Sequence, residues 1–543
     1  MSASVIDQPR TETQELVPVL GSHWQLSWPC VAVVGWFALV FLLINHTPLS
    51  LQNTWKYANA GHWISLHGAI PDQIPNVPLS SGMDYFAHSW LFDSTVAMVA
   101  SRFGPEAVSA SIAVLTSVAL WLWSWLIYRM SHSVVYVLFS AVMISLAWSS
   151  GFGFLHPRLA GAVLLGSLVW LISPARPFGQ VDKEDVDREA RLGISRWLGV
   201  GLLFAVWANV DISFLVGWLM LLAIALGHLI SDVKRLGFRG LSSFDTVRWT
   251  WMLQLAVIAT GLTPHGLGLW QYLVTAGVNE LTSVTIAGGG MYLPTIAGAA
   301  LMWFLGYSVW RLAHSETSPS HSEILVLIFM VLATAINARL LFWFAPLAML
   351  ITSRHWLSPE MKSKLTEAPV EEEGEAKPLR FAATLTCLLF IWCGFALSPI
   401  SAPVLDGEPR SHATLFDASV PSEVSVFLAE ELDTDMSPSL AKIWAPADWA
   451  DWLLWDGPAE LEVFANSDVG RMPQRVQLDY MRIFQGEAGW DDLLDRYAIG
   501  TLVVDKTRQV KLSREVMRNS RWKLMHETET SLTLQRIRRI TQS

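Results

Sequence analysis

Acids, histidines and arginines are scarce in the apolar body of this chain, and those present recur where a polar connection meets a long apolar run. Asp72, Asp84, His88 and Asp93 share one polar stretch. His156 and Arg158 flank Pro157 at the start of an apolar run, Asp211 separates two runs, His265 follows another, and Arg339 stands between two more. Each alone reads as an interfacial residue, because an ionisable side chain at a helix end reaches water at little cost. Together they suit a site where a phosphate-bearing lipid meets a polar substrate. Guanidinium groups of Arg158 and Arg339, with His156 and His265, would hold phosphate oxygens; Asp84 or Asp93, with His88 nearby, would take a proton or touch a metal. Asp72 and Asp211 complete the candidate set.

The elements that must position these residues are membrane helices. Of 543 residues 52% are hydrophobic and 15% charged, with 28 tryptophans, a balance foreign to soluble globular proteins of this size. A bilayer core needs about 20 mainly apolar residues per helix, fewer where neighbours shield the ends. Eleven segments are expected to span, near 28–46, 106–128, 133–149, 158–173, 195–210, 212–230, 249–263, 294–312, 323–337, 339–352 and 380–398. The first is read as a retained helix, since no basic stretch or small-residue cleavage site accompanies it.

Orientation follows from basic residues, which are retained on the cytoplasmic side. Arg129, Arg176, Lys183, Arg188, Arg196, Lys234, Arg235, Arg239, Lys362 and Lys377 fall in alternate connections. This predicts a cytoplasmic N-terminal tail (1–27), a transmembrane region (28–399) and an extracytoplasmic C-terminal domain (400–543). The first outer loop, about 47–105, carries an amphipathic run from Leu91 to Phe103 expected to lie along the membrane surface. All the candidate site residues then share the outer face. The charged connections at 174–196 and 353–379 read as solvated linkers.

After residue 400, strand-like runs (Lys442–Ala445, Leu461–Ala465, Thr501–Val504, Ser531–Leu534) alternate with helical ones (Ser422–Leu432, Trp449–Trp455, Asp491–Tyr497), which predicts a small α/β domain. Cys30, Cys387 and Cys393 all lie in apolar segments, so this domain carries no disulfide and must rely on its core. The net charge of −10 argues against nucleic acid as a partner. Trp444, Trp449, Trp452 and Trp455 offer stacking faces for sugars, although spacing at 449, 452 and 455 more often marks a packed helix.

One pattern runs through most of the chain. Asn53-Thr54-Trp55-Lys56-Tyr57, Gly61-His62-Trp63-Ile64, His67-Gly68-Ala69-Ile70-Pro71, Pro78-Leu79-Ser80 and His88-Ser89-Trp90-Leu91-Phe92-Asp93 come first. His156-Pro157-Arg158, Trp207-Ala208-Asn209-Val210-Asp211, Thr263-Pro264-His265-Gly266-Leu267 and Ala338-Arg339 follow in order. This series resembles a bacterial family within the GT-C superfamily of membrane glycosyltransferases, distantly similar to protein O-mannosyltransferases.

The resemblance implies transfer of a sugar from a polyprenyl-phosphate donor to a glycan, lipid or protein acceptor on the outer face of the cytoplasmic membrane, with inversion at the anomeric carbon. A divalent metal, magnesium or manganese, could assist departure of the phosphate. The chain departs from the family at Asn53, where an acid is usual, at Val77, where an acid usually precedes Pro-X-Ser, and at Asp211, where a histidine is usual. An amide cannot accept a proton, so a base would have to come from Asp84 or Asp93. Two other readings remain: a catalytically degenerate scaffold in envelope assembly, which Asn53 and Val77 favour, and a lipid or solute transporter, for which paired repeats and midplane charges are lacking.

Overall fold

The computed structural model describes residues 26–51, 54–83, 85–173, 193–275, 295–356, 376–402, 404–408, 410–433 and 441–537. Its first part is helical: α1 (Trp28–His46), α2 (Thr54–His67), α3 (Trp90–Ser131), α4 (Val134–Trp148), α5 (Pro157–Ile172), α6 (Ile194–Val210), α7 (Phe214–Leu236), α8 (Phe244–Ala259), α9 (Gly268–Thr275), α10 (Ile296–Ala313), α11 (His321–Ile336), α12 (Leu341–Arg354) and α13 (Ala376–Ala396). Ends are set by recognisable signals. Pro157 opens α5, Ser133 caps α4 by accepting from the Tyr136 amide, and Ser320 with Glu323 forms a capping box on α11.

Every expected span coincides with a helix, but the count of eleven is not supported. Among the described residues five helices are long and apolar enough to cross a membrane: Trp28–His46, Trp90–Ser131, Val134–Gly151, Phe214–Ser242 and Ile296–Ala313. Pro157–Ile172, Ile194–Val210, His321–Ile336 and Arg380–Ala396 are apolar but shorter. At 1.5 Å per residue such helices reach about 24–26 Å, less than the roughly 30 Å of hydrocarbon. Helix α12 is shorter still, and Leu341 through Ser353 are all buried. It is apolar because it is the bundle core, which a hydropathy pattern does not separate from a lipid-facing span.

Helix α3 is 42 residues long only in name, because Gly104 inside it has φ 77° and ψ 179°. That conformation suits glycine, and Pro105 starts a fresh helix whose missing N–H costs nothing. The part before the kink buries Phe92, Asp93, Val96, Ala97 and Ala100 and leaves Met98 and Phe103 exposed. A helix is thus present over the amphipathic run Leu91–Phe103, and the long apolar part of α3 follows Pro105. The connections at 174–196 and 353–379 fall mostly outside the described residues.

The C-terminal part is an α/β unit, as expected, with α14 (Ser422–Asp433), β1 (Lys442–Trp444), α15 (Ala447–Asp456), β2 (Glu462–Val463), α16 (Gln474–Phe484), α17 (Trp490–Arg496), β3 (Thr501–Asp505), α18 (Val510–Arg518), β4 (Trp522–Glu527) and β5 (Ser531–Arg536). The sheet order is β2-β1-β3-β5-β4, parallel across β2-β1-β3 and antiparallel across β3-β5-β4. Strand β3 is buried throughout, whereas β4 is mostly exposed. The two parts are joined by more than chain connection. The Val463 amide on edge strand β2 donates to the Asn76 carbonyl (3.0 Å), and Leu49 exchanges backbone bonds with Leu415 and Asp417 (2.8 and 2.9 Å). Arg410 donates to Glu106 (2.8 Å) and to the Asn45 carbonyl (2.8 Å).

Candidate active site

Helix α2 lies against the first turn of α3 with almost no space between the backbones. A Cβ on Gly61 would stand 2.0 Å from the Asp93 carbonyl oxygen, so only glycine permits this approach. Asp93 sits in the first turn of α3, a favourable place for a carboxylate beside a helix N-terminus, but it is only 3% exposed. Burial dominates and pushes its carboxyl up to about 8, and Oδ1 has no hydrogen-bond partner among the described residues.

Across from Asp93, Lys56 on α2 forms a 2.6 Å ion pair with Asp468, which follows β2. Arg471 lies 3.5 Å from the same carboxylate. Burial disfavours the Lys56 ammonium, yet the Asp468 charge and hydrogen bond, with Tyr57, together outweigh it and hold the amine above its usual range. Burial likewise opposes the Asp468 carboxylate, and Lys56 and Arg471 overcome it and hold the group low. Lys56, Tyr57, Tyr85, His88, Asp93 and Arg471 line a cavity of about 40 Å³. At about 10–15 Å³ per water this holds roughly three waters, which is too small for a sugar ring without opening. His265 joins from the connection after α8, its ring 3.9 Å from that of Phe86. Burial lowers its proton affinity, and Nε2 has no partner among the described residues.

A second group also lies near Tyr57. His156 precedes α5 and is buried, with Nδ1 unpartnered among the described residues, and Arg158 is the second residue of α5. Asp211 ends α6, buried, with Oδ2 accepting from the Ser213 amide (3.3 Å). Trp90 donates to Asn209 (2.6 Å), which donates to the Leu262 carbonyl (3.0 Å), so the starts and ends of three helices are locked together. Arg339 occupies the turn Ala338–Leu340, where its amide donates to Asn337 (3.0 Å). Neither Arg158 nor Arg339 forms an ion pair or side-chain hydrogen bond with any described residue. Burial, then the charge of Arg158, draws the Arg339 guanidinium below its ordinary range. The buried Tyr57 hydroxyl feels Lys56, Asp93, Asp211 and Arg158, which makes it the link between the two groups.

The structure therefore brings Asp93 and His88 to one cavity, with His265 packed behind its Phe86 wall and Arg158, Arg339, His156 and Asp211 nearby. It does not bring in Asp72, which is exposed and makes no polar contact among the described residues. Asn53 and Asp84 lie outside the described residues. Trp444, Trp449 and Trp452 are at most 2% exposed, so they are core and interface residues and not sugar platforms; Trp455 alone of the four is half-exposed. The three-acid group among the described residues, Asp491, Asp492 and Asp495, is paired with Arg521 and Arg536 in the C-terminal part. The described residues form no cation site at the Asp93 cavity.

Sequence reasoning missed Lys56, Tyr57, Tyr85, Asp468 and Arg471. Lys56 had a signal, being the one lysine of the first loop and standing beside a tryptophan. Asp468 had none, because its partner is 412 positions away. No protein-family model matches the chain, and no curated protein sequence matches it.

Proposed function

We propose that the protein is a GT-C-like membrane glycosyltransferase that moves a sugar from a polyprenyl-phosphate donor to an acceptor hydroxyl on the outer face of the cytoplasmic membrane, with its N-terminus cytoplasmic. The observation that carries this reading is the pair of arginines, Arg158 and Arg339, near enough to perturb one another and without an acid partner among the described residues. Two forked cations without a counter-ion suit the oxygens of a phosphate. In the proposed reaction Asp93 accepts the proton of the acceptor hydroxyl and the hydroxyl oxygen bonds to the anomeric carbon. The bond from that carbon to the phosphate oxygen breaks with its electron pair, raising the negative charge between Arg158 and Arg339.

The reading is tested by titrating the protein in nanodiscs with polyprenyl-phosphate and with polyprenyl-phosphate sugars, comparing wild type with Arg158→Ala. Saturable binding weakened by about 10–150-fold, the worth of a hydrogen bond to a charged group, supports it. Equal binding by both proteins removes the donor site. A second reading, a scaffold that binds no donor, is favoured by the small cavity and by Asn53 in place of an acid; no saturable binding to wild type selects it.

A further inference from the structure

The seam between α2 and the C-terminal part is built in a way that a permanent interface does not require. Trp55 is fully buried in an aromatic box, its ring 4.8 Å from Trp452, 5.9 Å from Trp455 and 6.0 Å from Phe416. Beside it, Asn59 donates to the Asp451 carbonyl (2.7 Å), and Lys56 pairs with Asp468. Yet the buried indole N–H groups of Trp55 and Trp452 and the Oδ1 of Asp451 have no partners among the described residues. Asp451 is wholly buried and its carboxyl is bonded by Ser467 alone, whose amide donates to the other oxygen at 3.3 Å. Each such orphan forgoes a hydrogen bond it would have in water, so the docked arrangement carries a standing cost.

We propose that this seam is a proton-tightened latch, in which docking of α15 on α2 takes up a proton at Asp451 and the C-terminal part releases the first loop when that proton leaves. The charged and titratable groups around Asp451 give the sign. From α2 come Lys56 and, near Trp455, His62; from the segment after β2 come Asp468 and Arg471; His412 lies against Trp452, and Asp456 is bonded by Ser425 of α14. Lys56 and Arg471 are both committed to Asp468. Asp451 is therefore left without a cation of its own, and burial, the largest influence, raises it to about 7. Solvated in the open state, it returns to the ordinary carboxylate range. Docked Asp451 thus holds a proton that open Asp451 has lost. Docking weakens as pH rises from about 4 to about 7 and is level above that. One linked proton corresponds to about tenfold per pH unit in the docking equilibrium. Asp468, held low by its cations, titrates below this window and opposes the trend only in strong acid.

The test is a distance measurement by double electron–electron resonance on the full chain in nanodiscs. Spin labels are placed at Ser65→Cys on α2 and Glu460→Cys beyond α15, both exposed positions, with Cys30, Cys387 and Cys393 replaced by serine. A single short distance at pH 5, joined by a longer population that grows towards pH 7, is expected. Asp451→Asn, which stays neutral, should hold the short distance at every pH. A distribution unchanged between pH 5 and 7.5 in the protein with native Asp451 overturns the latch without reliance on the variant. Growth of the longer population with pH in Asp451→Asn as well assigns the opening to another group and overturns it too.

Discussion

Breaking the Lys56–Asp468 pair should have unequal consequences depending on which partner is removed. The lysine side chain is 16% exposed and the aspartate 3%, so both charges are largely out of water. Lys56→Ala leaves Asp468 with Arg471 at 3.5 Å, and the expected loss of seam stability is about 1–3 kcal/mol. Asp468→Ala leaves a buried ammonium whose one bonded acid has gone and places two cations near each other; the expected loss is about 3–5 kcal/mol. Replacing both, as Lys56→Met with Asp468→Leu, removes the charges together and should recover most of that loss. A cysteine at Ala58, fully buried on α2, reports opening through its rate of maleimide labelling under native conditions. Each 1.4 kcal/mol is about tenfold in rate, so Asp468→Ala should label over a hundredfold faster than the parent and Lys56→Ala about ten- to a hundredfold faster. Equal rates for the two single variants, or a double variant as fast as Asp468→Ala, would refute the account of the pair.

Three further outcomes are expected. Gly61→Ala should force α2 from α3, since the new methyl carbon meets the Asp93 carbonyl at 2.0 Å; labelling at Ala58→Cys should accelerate, and polyprenyl-phosphate binding should weaken even though no charged group is altered. Asp93, raised to about 8 by burial, contributes stability that is intact at acid pH and lost as pH rises from about 4 to about 8. Dicyclohexylcarbodiimide, which reacts with protonated buried carboxyls, should therefore label Asp93 at pH 6 and much less at pH 9, as read by mass spectrometry; stronger labelling at pH 9 would contradict the burial argument. Trp55→Ala should cost about 3–5 kcal/mol at the seam, the usual range for a large buried aromatic, and should expose Trp452 to quenching by iodide.

The long apolar helices were legible because apolar runs and their polar breaks are local properties, and so were four of the five strands, whereas the shorter, more polar α2 was read as loop. Strand β4 escaped because Trp522–Glu527 is mostly exposed and carries Lys523, His526 and Glu527, leaving no apolar run to read. Helices α16 and α18 were missed for the same reason, each burying a narrow stripe such as Leu512 and Val516 in a polar sequence. Span count was overestimated because α12 is apolar on every side through burial in protein. At the site, Asp93, Arg158 and Arg339 could be nominated from type and position. The contribution of Asp468 and Arg471 could not, since no periodicity relates residue 56 to residue 468.

The pairing of the arginines bears on what the outer face is for. Elsewhere several arginines find acids: Arg410 meets Glu106, Arg536 meets Asp491 and Asp495, and Arg508 meets Asp448 and Asp505, while Arg311 donates to the carbonyls of His355 and Trp356. Half-buried Arg158 and the more exposed Arg339 have no acid partner among the described residues, although Asp211 is near enough to feel Arg158. Folding gains nothing from holding two guanidinium groups together, and the arrangement costs less once an anion sits between them. A phospholipid headgroup would satisfy the same two groups as well as a polyprenyl phosphate does. What separates these ligands is the neighbour: Asp93, buried and with an oxygen unpartnered, lies near the same Tyr57 as the arginines, where a bare headgroup has nothing to offer it and a sugar with its acceptor hydroxyl does. Binding that depends on Arg158 but is indifferent to Asp93→Asn and to the presence of a sugar on the lipid would therefore point to a structural lipid, and binding that depends on all three to a donor substrate.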